Sequence, residues 1–390
     1  MGHASGSRRR PRVTARGYWR TETLLFTSLG RSLLKAYSKK EGFTLSIMRA
    51  VVIERQGEPV HESVQLLSEH PDPCPKPGEV VVRTEAAALN HLDLWVGRGL
   101  PGLPDEWPKI SGSDGCGIVE HLGEGVDPQW MGRRVLLNAA TFQAATPHPD
   151  LAPAPEDISM IGEHGPGTMA EFFVAPVDQL LDVGEHDPVE AAASALSYLT
   201  AWRMLRKANL RAGDHVLITG IGGGVALAAL DLVRHFGAHA IVTSRSTEKL
   251  ERAALLGASE GVLDNGDDWS RTVRAWTKKR GVDVAIDSVG KAVHLSCVKS
   301  LRRGGTLVLC GCTSGPDATT DLARVFWNQL NILGSTMGDM AEFREVVALM
   351  RSGALHPVID TVVAPDAASE AYARLESGDQ FGKVVVDWRR

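Results

Sequence analysis

The sequence lacks the features that define several classes of protein. Its five cysteines, Cys74, Cys116, Cys297, Cys310 and Cys312, are scattered, odd in number and without a C-x-x-C pair. That argues against a disulfide framework or a cysteine-rich zinc lobe, and fits thiols kept reduced in the cytoplasm. No apolar run reaches the roughly 18 residues needed to cross a bilayer. Charge of either sign is not in excess. The 42 Lys and Arg face 47 Asp and Glu, and a net charge of −5 gives no global attraction for nucleic acid. What remains is an ordinary globular balance, 43% hydrophobic and 23% charged, over 390 residues. That length suffices for two or three domains.

Residues 1–47 differ from the rest. Arg8, Arg9, Arg10, Arg12, Arg16 and Arg20 crowd the start, with Glu22 and Glu41 the only acids. A transit-type targeting segment, a disordered basic arm, and translation from upstream of a working Met48 all fit this pattern. The last fits best, because MRAVVIERQGEP reads as a natural domain start. The segment is expected to be poorly ordered and to carry no chemistry.

The chain is organised around Val216 to Ala226, VLITGIGGGVA. An apolar, β-branched run ends in glycines, and a helical pattern follows from Val225. Strand, glycine turn and helix in that order make a nucleotide-binding βαβ unit. Glycine permits the tight turn and lets a diphosphate approach the backbone, while the helix start presents unpaired N–H groups. Two registers are open: Gly220-x-Gly222-x-x-Val225, and Gly220-x-x-Gly223-x-x-Ala226. The second keeps a small residue at all three positions and is preferred. Gly220, Gly222, Gly223, Gly224 and Val225 are the candidate phosphate cradle. Leu227, Leu230, Val233 and Phe236 recur at helical spacing, Gly237 stops the helix, and Ala240 to Thr243 reads as the next strand. Where an NAD site would carry Asp or Glu for the ribose, this chain has Ser244 and Arg245, with Lys249 one turn on. Those residues suit a 2′-phosphate, so NADP(H) is expected.

Before this unit, short β-type runs dominate: Arg49 to Ile53, Glu79 to Glu85, Gly117 to His121, Arg134 to Asn138 and Ala170 to Val174. Gly- and Pro-rich stretches separate them, which predicts a compact, mostly antiparallel barrel-like domain. After it, strands and helices alternate, which predicts a parallel sheet. Gly304-Gly305 is expected to turn a helix into the strand Thr306 to Cys310, and Asn331 to Met337 is the expected last strand.

The stretches ALNHLDLWVGRG (Ala88 to Gly99) and ISGSDGCG (Ile110 to Gly117), the glycine turn, Asp287-Ser288-Val289-Gly290 and the closing Gly382-Lys383-Val384-Val385-Val386 occur in the order seen in the medium-chain dehydrogenase/reductase superfamily. From Met48 to Trp388 the chain resembles that superfamily, and its zinc-free quinone oxidoreductases in particular. The resemblance implies an α/β protein. A GroES-like catalytic β-barrel would occupy residues 48–196, a Rossmann domain with a doubly wound parallel sheet residues 197–337, and residues 338–390 would return to the barrel. It implies that Thr200 lies under the nicotinamide and diphosphate, that Asp287 and Val289 flank the nicotinamide ribose, that Cys310 and Gly311 form the turn beside the carboxamide, and that Lys383 approaches the cofactor. It also implies a homodimer paired through the last strand.

The departures concern metal. Where zinc members place a cysteine, a histidine in Gly-His-Glu and a third ligand, this chain has Asn90, Gly112-Ser113-Asp114 and Leu196. These are poor zinc donors, and no cysteine stands between Asn138 and Gly162 for a structural zinc lobe. A metal-free member is therefore expected. Without a Lewis acid, a conjugated acceptor is the easier substrate, because hydride entering its β-carbon spreads charge onto a distant oxygen that hydrogen bonds can stabilise. The expected activity is NADPH-dependent reduction of quinones or α,β-unsaturated carbonyls. Asn90 is the first candidate for a polar contact in the site, Asp93 is expected to orient its neighbours, and Tyr198 is a candidate proton donor. Two alternatives stand beside this reading: an alcohol dehydrogenase with unconventional metal ligands, and a cofactor-binding protein that does not catalyse.

Overall fold

Parallel strands need a crossover of a dozen or more residues between them, and the second half of the chain supplies one after each strand. The structure is a computed structural model that describes residues 46–103, 105–142 and 158–390. The expectations for residues 1–45 lie outside these.

The first part is strand-rich. Its strands are β1 (Ile47–Ile53), β2 (Val64–Pro71), β3 (Glu79–Ala88), β4 (Asp114–Leu122), β5 (Arg134–Leu137), β6 (Ala140–Phe142), β7 (Ile158–Met160), β8 (Phe172–Pro176) and β9 (Leu180–Asp182). One short helix, α1 (His91–Arg98), follows β3. A 20-residue helix, α2 (Pro188–Lys207), then leads into the second part. Pro188 at its first position and Asp187, which accepts from the Val189 and Glu190 amides, start it as helix chemistry requires.

The second part runs β10 (His215–Ile218), α3 (Gly224–His235), β11 (His239–Ser244), α4 (Thr247–Leu255), β12 (Glu260–Leu263), α5 (Ser270–Trp276), β13 (Val282–Asp287), α6 (His294–Ser300), β14 (Leu301–Leu309), α7 (Leu322–Trp327) and β15 (Asn331–Gly334). These six strands form one sheet in the order β12-β11-β10-β13-β14-β15, every pair parallel. That is the doubly wound order, and its direction reverses between β10 and β13. The chain ends with α8 (Met340–Arg351), β16 (Ile359–Val363), α9 (Ala368–Ser377) and β17 (Lys383–Asp387). β17 pairs antiparallel with β3, Val385 opposite Ala88, so the closing strand completes the barrel sheet β16-β17-β3-β4-β5-β9.

The helix α2 belongs to two cores at once. Ala191, Ala192, Ala193, Ala195 and Leu199 pack in the barrel core with Val80, Leu136 and Phe343. Ala201, Trp202, Met204 and Leu205 pack beneath the parallel sheet with Ile218 and Leu230. The expected domain boundary at Leu196 therefore falls inside a continuous helix. Two local expectations differ. Gly304-Gly305 lies within β14, where it makes an irregularity with Gly304 at φ 69°. The last strand stops at Gly334, and Met337 sits at φ 48°, outside the β region. β2 and α7 were not expected. β2 lacks period-2 alternation, and α7 turns Leu322, Phe326 and Trp327 to solvent rather than to the core. Among the described residues, no helix is long and apolar enough to cross a membrane.

Candidate active site

The turn after β10 makes specific demands on its glycines. Gly220 has φ 64° and Gly222 φ 117°, conformations that side chains resist. Gly223 has φ −77° and caps α3 without a capping side chain. A Cβ at Gly220 would meet Val289 Cγ2 at 2.8 Å, and one at Gly222 would meet Lys249 Cδ at 2.9 Å. A Cβ at Gly224 would meet Ser197 Oγ at 2.7 Å and Lys383 Cδ at 2.9 Å. At Gly223 the nearest neighbour is 3.7 Å away. The conformational need lies at Gly220 and Gly222, whereas Gly223, the second glycine of the preferred register, has the open space over its Cα that close approach of a diphosphate requires. Gly222→Ala is expected to destabilise the protein by about 1–2 kcal/mol or more, and Gly223→Ala to be near neutral, as thermal unfolding of the free protein would read. Val225 lies in the first turn of α3, partly buried against the core beneath the sheet.

At the tip of β11, Ser244 Oγ accepts from the Ser246 amide at 3.1 Å and Arg245 is exposed. Lys249 is drawn to the glycine turn, but its Nζ donates to the Gly378 carbonyl at 2.6 Å. Burial lowers its pKa. Just beyond that carbonyl, the Gly382 amide donates to the Gly222 carbonyl at 2.9 Å. The loop before β17 thus lies on the glycine turn.

Asp287, at the end of β13, is fully buried. Its carboxylate accepts from Thr219 Oγ1 at 2.6 Å and from the Val289 amide at 2.8 Å. Burial raises its pKa, against those hydrogen bonds. Asp287 shapes its own turn, and its neighbour Val289 is what covers Gly220. Cys310 donates its amide to the Asp287 carbonyl, and burial pushes its thiol up to about 12. Gly311 packs over Ser288, where a Cβ would stand 3.1 Å from the Ser288 carbonyl oxygen. Thr200 is buried beside Met337, with Oγ1 3.8 Å from its sulfur.

A buried polar network links β17, α1 and β4. Lys383 Nζ donates to Asn90 Oδ1 at 2.6 Å and to Asp114 Oδ2 at 2.7 Å. Asn90 Nδ2 donates to Asp114 Oδ2 at 2.9 Å, and the Leu196 amide donates to Asp114 Oδ1 at 2.7 Å. Lys383 is 5% exposed and Asp114 0%, so this ion pair is cut off from water. Asp93 supports it from below, accepting from the Asn90 and Gly112 amides at 2.7 Å each. Burial pushes the Asp93 carboxyl up to about 6, against those hydrogen bonds and the Lys383 charge. Asp93 therefore holds the Asn90 and Gly112 backbone. Tyr198 does not join the network. Its hydroxyl donates to Asp231 on α3 at 2.8 Å, within the core beneath the parallel sheet, and burial together with Asp231 raises its pKa well beyond the phenol range. The candidate proton donor is thereby corrected to a core hydrogen bond. Asp114 is the functional residue that the sequence reading did not single out. Its position in the Gly112-Ser113-Asp114 stretch was visible, but its partner lies 269 residues away.

The fit of two bound groups can be judged from these side chains. Ser197 Oγ, Ser335 Oγ and Gln380 Oε1 are buried without a hydrogen-bond partner among the described residues. Ser197 adjoins Gly224, Gln380 adjoins Gly222, and Ser335 follows β15 with its amide on the Leu309 carbonyl. Such atoms cost free energy unless a ligand satisfies them, and their spread suits an extended polar molecule at the strand ends. A dinucleotide fits. Zinc does not. Asn90 is an amide engaged by an ammonium, Ser113 Oγ donates to the Ile161 carbonyl at 2.9 Å, and Leu196 has no donor atom. Among the described residues, no three His, Cys, Asp or Glu side chains are grouped to hold a metal.

Comparison with known proteins agrees with this architecture. The family model described as alcohol dehydrogenase GroES-like domain matches residues 76–185, and that described as zinc-binding dehydrogenase matches residues 224–352. A zinc-type alcohol dehydrogenase-like protein of Leptosphaeria maculans is 32% identical over 338 residues, 81% of this chain and 92% of that protein. The chain belongs to the medium-chain dehydrogenase/reductase superfamily. As a medium-chain dehydrogenase/reductase it is an oxidoreductase, with a GroES-like and a Rossmann part. A crystal structure described as an NAD-dependent alcohol dehydrogenase superposes with a TM-score of 0.80 at 38% identity, covering 87% of this chain and 99% of that one. An acryloyl-coenzyme A reductase of Metallosphaera sedula is 28% identical over 346 residues, 87% of this chain and 99% of that protein.

Proposed function

We propose that this protein reduces conjugated carbonyl compounds, quinones or α,β-unsaturated carbonyls, with NADPH and without a metal. The observation that carries the reading is the buried network in which Asn90, at the position the resemblance gives to the first zinc ligand, is engaged by Lys383 and Asp114. The cofactor supplies hydride when bound. Gly223, where nothing stands nearer than 3.7 Å to the place of a Cβ, leaves room for its phosphates, Val289 and Thr200 wall the nicotinamide end, and Ser244 and Arg245 meet the 2′-phosphate. Lys383 has three N–H donors. Two are spent on Asn90 and Asp114, which fix the ammonium and leave one uncommitted among the described residues. A fixed cation in a dry site stabilises negative charge that develops on a substrate oxygen or rests on the phosphates. Protonation of the reduced acceptor comes from solvent. The relative named as an acryloyl-coenzyme A reductase supports the conjugated-acceptor class.

The second reading is an alcohol dehydrogenase, favoured by the NAD-dependent alcohol dehydrogenase that superposes so closely. A panel of quinones, enones, enoyl thioesters and simple alcohols, run with NADPH and NADH and paired with metal analysis, separates the two. Acceptor-dependent NADPH oxidation by protein free of zinc is expected. Stoichiometric zinc whose removal stops turnover would decide for the alcohol dehydrogenase, and tight NADPH binding with no turnover for a non-catalytic role. The five free thiols fit a reducing cytoplasm.

We also propose a homodimer through the β15 edge. Leu322, Phe326 and Trp327 on α7 are 70–71% exposed, and Ile332 on β15 is 36% exposed. An unpaired strand edge beside exposed aromatics is a surface for a second copy. Phe326→Asp with Trp327→Asp is expected to give monomers, by loss of at least about 2 kcal/mol of association. Light scattering after size-exclusion chromatography reads this, and an unchanged mass would count against the interface.

A further inference from the structure

We propose that the Ser197 hydroxyl is a ligand for the diphosphate of the dinucleotide, an inference that rests on the nucleotide-binding reading above. Ser197 lies in α2, is 2% exposed, and its Oγ has no hydrogen-bond partner among the described residues. A buried serine in a helix normally turns its hydroxyl back to a carbonyl of the preceding turn. Ser194, three residues earlier, does so, donating to the Ala191 carbonyl at 2.8 Å. Ser197 does not. A Cβ built on Gly224 would stand 2.7 Å from Ser197 Oγ but 3.5 Å from Ser197 Cβ, so the hydroxyl is aimed at the first residue of α3.

Gly224 opens a 12-residue helix that no side chain caps. Its first amides and its dipole favour an anion at this point. The stem of Lys383 reaches the same spot, with Cδ 2.9 Å from that Cβ position. Two donors of different origin therefore converge, helix amides and a hydroxyl with a proton to give, while the Lys383 ammonium beyond that stem is held by Asn90 and Asp114. Alanine is already common on this helix, at Ala191, Ala192, Ala193, Ala195 and Ala201. The backbone would accept alanine here as well, and the hydroxyl costs stability in the free protein.

The test is Ser197→Ala, with three ligands titrated calorimetrically into the full chain and thermal unfolding of the free protein. NADPH and NADH share the diphosphate, and both dissociation constants are expected to rise about tenfold or more, as for a lost hydrogen bond to a charged group. Adenosine 2′-monophosphate has no diphosphate, and its binding is expected to be unchanged. The free variant is expected to melt at the same temperature or higher. Unchanged binding of both dinucleotides overturns the assignment, as does weakening confined to NADPH or shared by adenosine 2′-monophosphate. Wild-type protein that binds neither dinucleotide overturns the nucleotide-binding reading itself; wild-type binding with an indifferent variant overturns Ser197 alone.

Discussion

Lys383→Met is expected to lower the free energy of unfolding by about 3–5 kcal/mol, the usual cost of stranding one charge of a buried pair. Methionine keeps much of the lysine volume, so packing alone predicts a small effect. The cost comes from Asp114, which loses its one cationic partner among the described residues and has no exposure to water. The Leu196 amide and Asn90 Nδ2 still reach its oxygens, but neither carries charge. Adding Asp114→Asn should then recover at least about 1 kcal/mol, because the two sites are coupled and their costs do not sum. Urea unfolding of the wild type, both single variants and the double variant closes the cycle. Additive losses would mean that the pair acts as two unrelated packing residues.

Arg245→Ala is expected to weaken NADPH by about 1.5–3 kcal/mol, the worth of a hydrogen bond to a charged group, while NADH is left nearly untouched. Arg245 stands exposed at the tip of β11, where a carboxylate would accept from an unphosphorylated ribose. Ser244 beside it accepts from the Ser246 amide through Oγ and keeps its own proton to donate. Lys249 is already held by the Gly378 carbonyl, which leaves the guanidinium as the main reader of the phosphate. Because that group faces water, the NADPH advantage should shrink as salt rises. Paired calorimetric titrations at low and high ionic strength check both parts. Tighter binding of NADH by the wild type would contradict the assignment outright.

The parallel sheet was legible because each of its strands sits between local signals. Val282 to Ile286 is apolar but for Asp283 and is ended by a turn, and Gly237 and Gly257 stop the helices before β11 and β12. The barrel was legible where side chains alternate and not where they do not, as in β2. What failed in the site was long range or conformational. The Asp114–Lys383 pair joins opposite ends of the chain, so no window of sequence contains it. The positive φ of Gly222 is a need that a spacing pattern does not encode. Tyr198 is different, because the information was present. It shares a helical face with Trp202 and Leu205, both core residues, and that period already directed its ring inward.

The helix α2 is a spine common to both halves of the molecule. Neither the barrel nor the nucleotide sheet can lose its packing without stripping a face of the same rod. Heating should therefore produce one calorimetric transition, shifted as a whole by dinucleotide, rather than separate melts for two modules.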